Sequence, residues 1–234
     1  MHVWAAALPG AAPGGDSLLD EAERRRAAAI LQGARREQWV AARALLRVLL
    51  GSYLGLPAER VELFQAPGAA PRLRTPGPAF AVSHSRGIAL YAFAARGAVA
   101  VDVERVRGRA GDALHAVAAR AFGASRAAEL QLVPATARER AFLRDWVRLE
   151  AARKLSASGV FGPPPPAGQA PWLFDLLPAD GCPAALAMAR APGAVRRFAV
   201  AEPQRERPRG SERPTARSSD PRPRPSRESS PIAS

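Results

Sequence analysis

Residues 99–104 read Val-Ala-Val-Asp-Val-Glu, an alternating stretch that decides much of the fold. Successive side chains of a strand point to opposite faces, so the sequence predicts a strand with its valines on one face and Asp102 and Glu104 on the other. Two neighbouring carboxylates repel each other, and a shared hard cation such as Mg²⁺ relieves that repulsion. The pattern also fits the solvent-facing polar side of an ordinary amphipathic strand.

A predicted β-hairpin precedes this strand. Phe80-Ala81-Val82 predicts a short strand that enters Ser83-His84-Ser85, and the apolar run 88–94, bounded by Arg-Gly on both sides, predicts its partner. A histidine at a strand end can bind a phosphate group or relay a proton. His84 can equally be a capping or turn residue.

A long helix is predicted after the strand, over residues 136–157. Phe142, Trp146, Glu150 and Lys154 follow one another at intervals of four, which places two aromatic anchors and an acid–base pair along one side. Such a Glu–Lys pair is often a surface pair of small energetic value. Lys154 is nevertheless the single lysine among 34 basic residues, and its compact ammonium with a tunable pKa cannot be imitated by arginine.

The rest of the chain extends this mixed pattern in both directions. Helical periodicity covers residues 17–51, with a break at Gly33, and then residues 111–121 and 124–131. Late strands are predicted at 171–176, 184–189 and 196–201, after a proline-rich spacer at 162–171. We expect an α+β fold built from a pseudo-two-fold pair of similar subdomains.

Four segments are predicted along the chain. They are an extended N-terminal entry over 1–16, a first α+β half over 17–104, a second half over 105–202 and an Arg/Pro-rich tail over 203–234. The tail has seven prolines and no aromatic residue, which is typical of disorder.

Composition and charge exclude several classes of protein. The single cysteine, Cys182, rules out an internal disulfide framework and a multi-cysteine zinc site, and we expect it to be a small residue near a late strand. The chain lacks an apolar run long enough to span a membrane and a secretory signal, so we expect a cytoplasmic protein without membrane contact. The net charge of +13 fits a nucleic acid, a polyphosphate ligand or an acidic protein partner. No nucleic-acid-binding motif accompanies that charge, so nucleic acid is the weakest of these hypotheses.

The three chemistry-bearing stretches, in this order and spacing, resemble the 4′-phosphopantetheinyl transferases of the two-half, surfactin-synthetase-activating type. Arg43-Ala-Leu-Leu-Arg47 followed by Tyr53-Leu-Gly is similar to the first helix of that family. The resemblance covers roughly residues 17–202. It implies a pair of α+β subdomains and transfer of the phosphopantetheine arm of coenzyme A to a serine of an acyl or peptidyl carrier protein, with release of adenosine 3′,5′-bisphosphate.

The resemblance also implies roles for individual residues. Asp102, Glu104 and Glu150 would hold Mg²⁺ against the pyrophosphate, and Glu150 would accept the serine proton. Lys154 would contact the pyrophosphate, His84 a phosphate of coenzyme A, and Ser83 would lie beside His84. Either Arg43 or Arg47 would meet the 3′-phosphate. We expect a monomer with its site between the two halves.

Two positions depart from the family pattern. Ala69-Ala70-Pro71 stands where the family often has Gly-Lys-Pro, so a phosphate contact is missing unless Arg72 or Arg74 replaces it. Leu149 precedes Glu150 where the family's long helix commonly has lysine. These departures leave open a catalytically degenerate relative that binds coenzyme A or a carrier protein without turnover.

Overall fold

The computed structural model describes residues 1–8, 14–66, 68–108, 111–156, 170–176 and 181–200. The predicted tail at 203–234 and most of the proline-rich spacer lie outside these residues. The structure combines helices and sheets, which confirms the α+β class. The pseudo-two-fold relation and the division into halves stay predictions.

The helices fall into two groups along the chain. The first group is α1 (Glu21–Ala28) and α2 (Gly33–Leu54), and the second is α3 (Gly111–Phe122), α4 (Ala124–Leu132) and α5 (Ala135–Ser156). Short 3-10 turns cover Gly15–Leu18 and Ala58–Arg60.

The strands are β1 (His2–Ala7), β2 (Leu63–Phe64), β3 (Arg72–Leu73), β4 (Ala79–Ser85), β5 (Ile88–Ala94), β6 (Val99–Val103), β7 (Trp172–Leu176), β8 (Ala184–Met188) and β9 (Arg196–Val200). They form a four-stranded sheet of order β4-β5-β1-β9, a three-stranded sheet of order β6-β8-β7 and the β2-β3 pair. The hairpin and the three late strands are therefore confirmed.

Each of the larger sheets takes strands from both predicted halves. Strand β9 pairs in parallel with β1, while β6 pairs antiparallel with β8 and so joins the second sheet. The N-terminal segment expected to be an extended entry thus contributes β1, an inner strand of the first sheet. Alanine-rich strands carry a weak signal because alanine has a low β propensity.

The predicted helix over 17–51 is two helices. Asp20 accepts a hydrogen bond from the Glu23 backbone N–H while Glu23 accepts one from the Asp20 N–H, and this capping box starts α1. The expected break is confirmed, and it begins at Ala29, before Gly33. At the other end, Gly55 ends α2 in the left-handed conformation that glycine adopts most easily (φ 68°).

The alternation along β6 is confirmed by where its side chains pack. Val99, Val101 and Val103 lie in a core cluster with Leu90, whereas Ala100 packs in a separate cluster against α5. Cys182 is buried in the valine cluster, as expected of a small core residue. The face of β6 that carries Asp102 is therefore turned towards α5.

None of the helices within the described ranges combines the length and apolar character that crossing a bilayer requires.

A buried ion-pair network ties α1 to α2. The Arg47 side chain is only 1% exposed, and its Nε donates to Glu23 Oε2 at 2.6 Å and its Nη2 to Asp20 Oδ2 at 2.8 Å. Its Nη1 donates to the backbone carbonyls of Ala58 and Val61. Arg47 therefore joins both helices to the segment that follows them.

Replacing Arg47 by methionine leaves the Glu23 carboxylate buried without its main partner. We expect a loss of about 3–5 kcal/mol in the free energy of unfolding, measured by chemical denaturation. The control is Arg25→Ala, which removes an exposed pair with Glu21 on the same helix and should cost only about 0.3–0.5 kcal/mol. Equal effects of the two substitutions would contradict this role of Arg47.

Candidate functional site

Two serines of β4 hydrogen-bond two carboxylates at the end of β6. Ser83 Oγ donates to Asp102 Oδ1 at 2.9 Å, and Ser85 Oγ donates to Glu104 Oε2 at 2.8 Å. Both pairs are separated by the same number of residues, so β4 and β6 run side by side in the same direction here. The hydroxyls fix both carboxylates on the side of β6 that faces α5.

Asp102 is the buried centre of the site, with 5% of its surface exposed. Lys154 Nζ donates to Asp102 Oδ1 at 2.5 Å. Burial raises the pKa of Asp102, while Lys154 and the Ser83 hydroxyl oppose that rise. The interpretation of Asp102 as part of a solvent-facing strand surface is therefore wrong.

Glu104 lies nearer the edge of the site, with 25% of its side chain exposed. Arg107 Nη2 donates to the same oxygen that accepts from Ser85, at 3.2 Å. The charge of Glu104 contributes to the raised pKa of Asp102. The two carboxylates predicted to share a face therefore act on each other.

Helix α5 brings Glu150 and Lys154 to the carboxylates of β6. Phe142 and Trp146 stack at 5.8 Å and belong to the cluster that joins α5 to α3 and α4. Val147 and Ala151 pack on β6 and β8, which fixes the rotation of the helix. The predicted stripe is confirmed, with its aromatic part in the core and its charged part at the site.

The charges of the other carboxylates act on Glu150. Its Oε2 lies 4.0 Å from Lys154 Nζ. Burial raises the pKa of Glu150, and the charges of Asp102 and Glu104 raise it further, against the opposing charge of Lys154. The surroundings of Glu150 therefore favour its protonated form more than water does.

The carboxylates have the right chemistry for a hard divalent cation, since all their donor atoms are oxygen. Over the described part of the chain, however, no three His, Cys, Asp or Glu side chains converge to the spacing of a metal site. The cation that pairs with Asp102 is the Lys154 ammonium instead. The donor set fits Mg²⁺, whereas the described side-chain positions hold an ion pair.

His84 is exposed between the buried Ser83 and Ser85. Partial desolvation of its ring lowers the pKa of His84, and the positive charges of Lys154, Arg35 and Arg43 lower it further. These three cations come from α5 and α2, so the histidine lies on a surface that attracts anions. The expected position of His84 at a strand end is confirmed, and its role stays a prediction.

The structure separates the two arginine candidates on α2. Arg47 is enclosed by the network described above, which uses its guanidinium for protein contacts. Arg43 lines a cavity of about 440 Å³ together with Asp20, Ala22, Glu23, Arg26, Leu63, Gln65 and Gly68. Of the two arginines, Arg43 is the one among the lining residues of this cavity.

The loop that departs from the family pattern adjoins this cavity. Gln65 Nε2 donates to the Ala69 carbonyl at 2.7 Å, beside the exposed Ala70. Arg74 lies over the Phe64 ring at 5.4 Å. Neither Arg72 nor Arg74 lines the cavity, so Arg43 and Arg26 are the cations that do.

Four residues near the site were missed by the sequence reasoning: Arg26, Arg35, Gln65 and Ser85. Arg26 and Arg35 belong to a sequence with arginine in most charged positions, which conceals individual roles. Ser85 is two residues after Ser83, so the period of a strand could have indicated that it would reach Glu104.

Comparison with known proteins finds a similar curated relative, the 4′-phosphopantetheinyl transferase HetI of Nostoc sp. (strain PCC 7120). It is 30% identical to this chain over 171 residues, which cover 66% of this chain and 71% of the relative. No protein-family profile matches the chain.

The raised pKa of Asp102 predicts how an uncharged substitution behaves. The folded protein holds the Asp102 proton more tightly than the unfolded chain, so the ionised carboxylate costs stability at pH 7. We expect Asp102→Asn, without added divalent metal, to raise the free energy of unfolding at pH 7, because the ionised carboxylate is the form that burial disfavours. The gain should shrink as the pH falls through the folded-state pKa, because the wild-type carboxyl then becomes neutral as well.

The matched control for this pH series is Asp175→Asn, which weakens an exposed pair with Arg148. It should lower stability by at most about 1 kcal/mol. Thermal unfolding curves from pH 4 to pH 8 measure both variants. A loss of stability in Asp102→Asn at pH 7 would contradict the prediction.

Proposed function

Because the chain belongs to the 4′-phosphopantetheinyl transferase superfamily, we propose that it transfers the phosphopantetheine arm of coenzyme A to a serine of an acyl or peptidyl carrier protein. The serine hydroxyl oxygen forms a bond to the β-phosphorus of coenzyme A, and the bond from that phosphorus to the bridging oxygen breaks. Adenosine 3′,5′-bisphosphate leaves with that oxygen. We assign the chain to the two-half, surfactin-synthetase-activating type.

The observation that carries this proposal is the charged cluster that forms where α5 packs on β6. Asp102 and Glu104 from the strand and Glu150 and Lys154 from the helix act on one another in a single partly buried cluster. Three carboxylates and one ammonium suit a reaction that moves a proton and stabilises charge on phosphate oxygens.

Asp102, Glu104 and Glu150 would hold Mg²⁺. Bound there, the cation would neutralise charge that develops on the leaving phosphate. The raised pKa of Glu150 supports this assignment, because neighbouring carboxylates that repel one another are stabilised by a shared cation. The Lys154 ammonium, now on Asp102 Oδ1, would then be available to a pyrophosphate oxygen.

Glu150 would also take the proton of the carrier serine, directly or through a water molecule. In the protein without a bound cation, burial raises the pKa of Glu150, and a carboxylate of higher pKa is a stronger base. His84 would contact a phosphate of coenzyme A from the cationic surface it shares with Lys154, Arg35 and Arg43. Ser83 would hold Asp102 in place beside it.

The net charge of +13 would favour encounter with carrier proteins, which are usually acidic. We propose that the protein acts as a monomer in the cytoplasm. The carboxylate and lysine cluster favours this reading of the charge over nucleic-acid binding.

A second candidate is a degenerate relative that binds coenzyme A or carrier protein without turnover. The observation that favours it is the loop beside the cavity, where Ala70 occupies the place of the family's lysine and neither Arg72 nor Arg74 reaches the cavity. Leu149 on α5 is the other departure, and it lies next to Glu150 without displacing it.

Transfer is tested by the intact mass of apo acyl and apo peptidyl carrier proteins after incubation with the protein, coenzyme A and Mg²⁺. We expect a mass gain of one phosphopantetheine group that requires Mg²⁺. Glu150→Gln should lower the rate at least about 100-fold, because it removes both a cation ligand and the base. Lys154→Arg should lower it by a smaller factor, since charge is kept while the compact ammonium is lost.

Glu129→Gln is the matched control, since this glutamate lies on the exposed surface of α4. It should transfer at the wild-type rate. No mass gain with any carrier, together with calorimetric binding of coenzyme A, would support the degenerate relative and reject the transferase.

Restoring the missing lysine tests the departure at the loop. We expect Ala70→Lys to lower the KM for coenzyme A by about threefold to tenfold, as one added phosphate contact in a partly exposed position would. The value of kcat should not change, because the contact lies away from the reacting phosphorus. A rise in kcat from an undetectable level would instead identify the wild-type protein as degenerate.

A further inference from the structure

Arg43 is a buried cation beside a cavity. Its surface is 7% exposed, and burial lowers the pKa of its guanidinium. The cavity of about 440 Å³ is within the size range of small-molecule sites. A buried arginine at such a cavity is suited to bind a planar or tetrahedral anion.

Three side chains fix the direction of this guanidinium. Arg43 Nη2 donates to Gln65 Oε1 at 2.6 Å, and its Nη1 lies 3.5 Å from Glu23 Oε1. The Trp39 ring lies 5.1 Å from the guanidinium carbon. Of these contacts, only the one with Gln65 is a short hydrogen bond, so Gln65 contributes most to the orientation.

The charge around the cavity favours an anion in spite of two carboxylates. Asp20 and Glu23 both accept from Arg47, which lies behind them and is not among the cavity's lining residues. Arg47 therefore neutralises much of their charge. Arg43 and Arg26 then give the cavity a net positive character.

Gln65 also connects this arginine to the loop that lacks the family's lysine. Its Oε1 accepts from Arg43 on α2, and its Nε2 donates to the Ala69 carbonyl next to Ala70. A single amide thus holds both walls of the cavity. An amide that uses its acceptor and its donor at once loses both contacts when it is replaced by an apolar side chain.

We propose that Gln65 is a positioning residue that directs Arg43 at the 3′-phosphate of coenzyme A and so determines specificity for the 3′-phosphorylated nucleotide. This rests on the proposed function, which supplies coenzyme A as the ligand. The assignment to the 3′-phosphate is what the family resemblance implies for an arginine of α2, and the residues that line the cavity are separate from the Asp102–Lys154 pair, where the pyrophosphate is proposed to bind. The charge of Arg43 contributes to the lowered pKa of His84, so both residues belong to one cationic surface.

The experiment compares two nucleotides that differ by one phosphate group. Calorimetric titrations of the full chain use adenosine 3′,5′-bisphosphate and adenosine 5′-monophosphate. We expect the wild-type protein to bind the bisphosphate more tightly. Gln65→Met should weaken bisphosphate binding about tenfold, the usual effect of losing a hydrogen bond to a charged group, and leave monophosphate binding unchanged.

A second variant, Gln65→Glu, keeps the size of the side chain and places a carboxylate on Arg43. It should weaken bisphosphate binding at least as much, because the added negative charge neutralises the arginine. Glu62→Gln, an exposed position on the same segment, should leave both affinities at the wild-type value. Thermal unfolding curves show that each variant is folded before it is titrated.

In the transfer assay, Gln65→Met should raise the KM for coenzyme A and leave kcat unchanged. Equal loss of affinity for both nucleotides, an unchanged ratio, or a wild-type protein that does not prefer the bisphosphate would each overturn the proposal. The titrations need no carrier protein, so failure of transfer to every carrier would reject the proposed function without deciding the role of Gln65.

Discussion

The ion pair between Lys154 and Asp102 connects the second helix group to the carboxylate edge of β6. Asp102 is buried, so its charge is tolerated only because Lys154 and Ser83 compensate it. That compensation requires α5 to lie across β6 at a fixed rotation, which Val147 and Ala151 provide through their packing on β6 and β8. The same rotation places Glu150 beside the two strand carboxylates. The packing of the apolar face of α5 on the sheet therefore also assembles the acid–base cluster.

Arg47 and Lys154 are two cations of different kinds, and the difference explains why lysine and arginine are not exchanged between them. Arg47 uses its planar guanidinium to reach two carboxylates and two carbonyls at once, a contact set that needs several fixed donors. Lys154 makes one short contact, and 41% of its side chain is exposed. A compact ammonium held by one short hydrogen bond can be transferred to a ligand oxygen at small cost. A guanidinium held by four acceptors cannot, so Arg47 serves the fold, whereas Lys154 is the cation that we propose for the chemistry.

The sequence predicted which face of β6 and which side of α5 carry the charged cluster, because the signals for those faces are local. Alternation along β6 and the four-residue spacing on α5 each determine one face. The packing of α5 on β6 then brings the two faces together. The sequence predicted β1 only as an extended segment. Its alanines fit in a sheet, but their low β propensity does not indicate a strand. The choice between Arg43 and Arg47 was also beyond the sequence. The two residues lie one helical turn apart, and only the positions of α1 and of the Gln65 segment decide which guanidinium is enclosed and which reaches a cavity.

Burial and neighbouring charges raise the pKa values of the carboxylates of the site and lower those of the basic groups near them. Two such groups of residues side by side suit a substrate that carries several phosphates. At Asp102 and Glu150, burial and mutual repulsion raise the pKa values, so a cation or a proton that arrives stabilises the carboxylates. Partial desolvation of His84, burial of Arg43 and the charges of neighbouring cations lower the pKa values of these two groups, so an arriving anion would stabilise their charged forms. A ligand that brings phosphate oxygens together with a divalent cation relieves both kinds of unfavourable charge at once. Under the proposed function, coenzyme A with Mg²⁺ is such a ligand, and its binding would offset the unfavourable charge at both groups of residues.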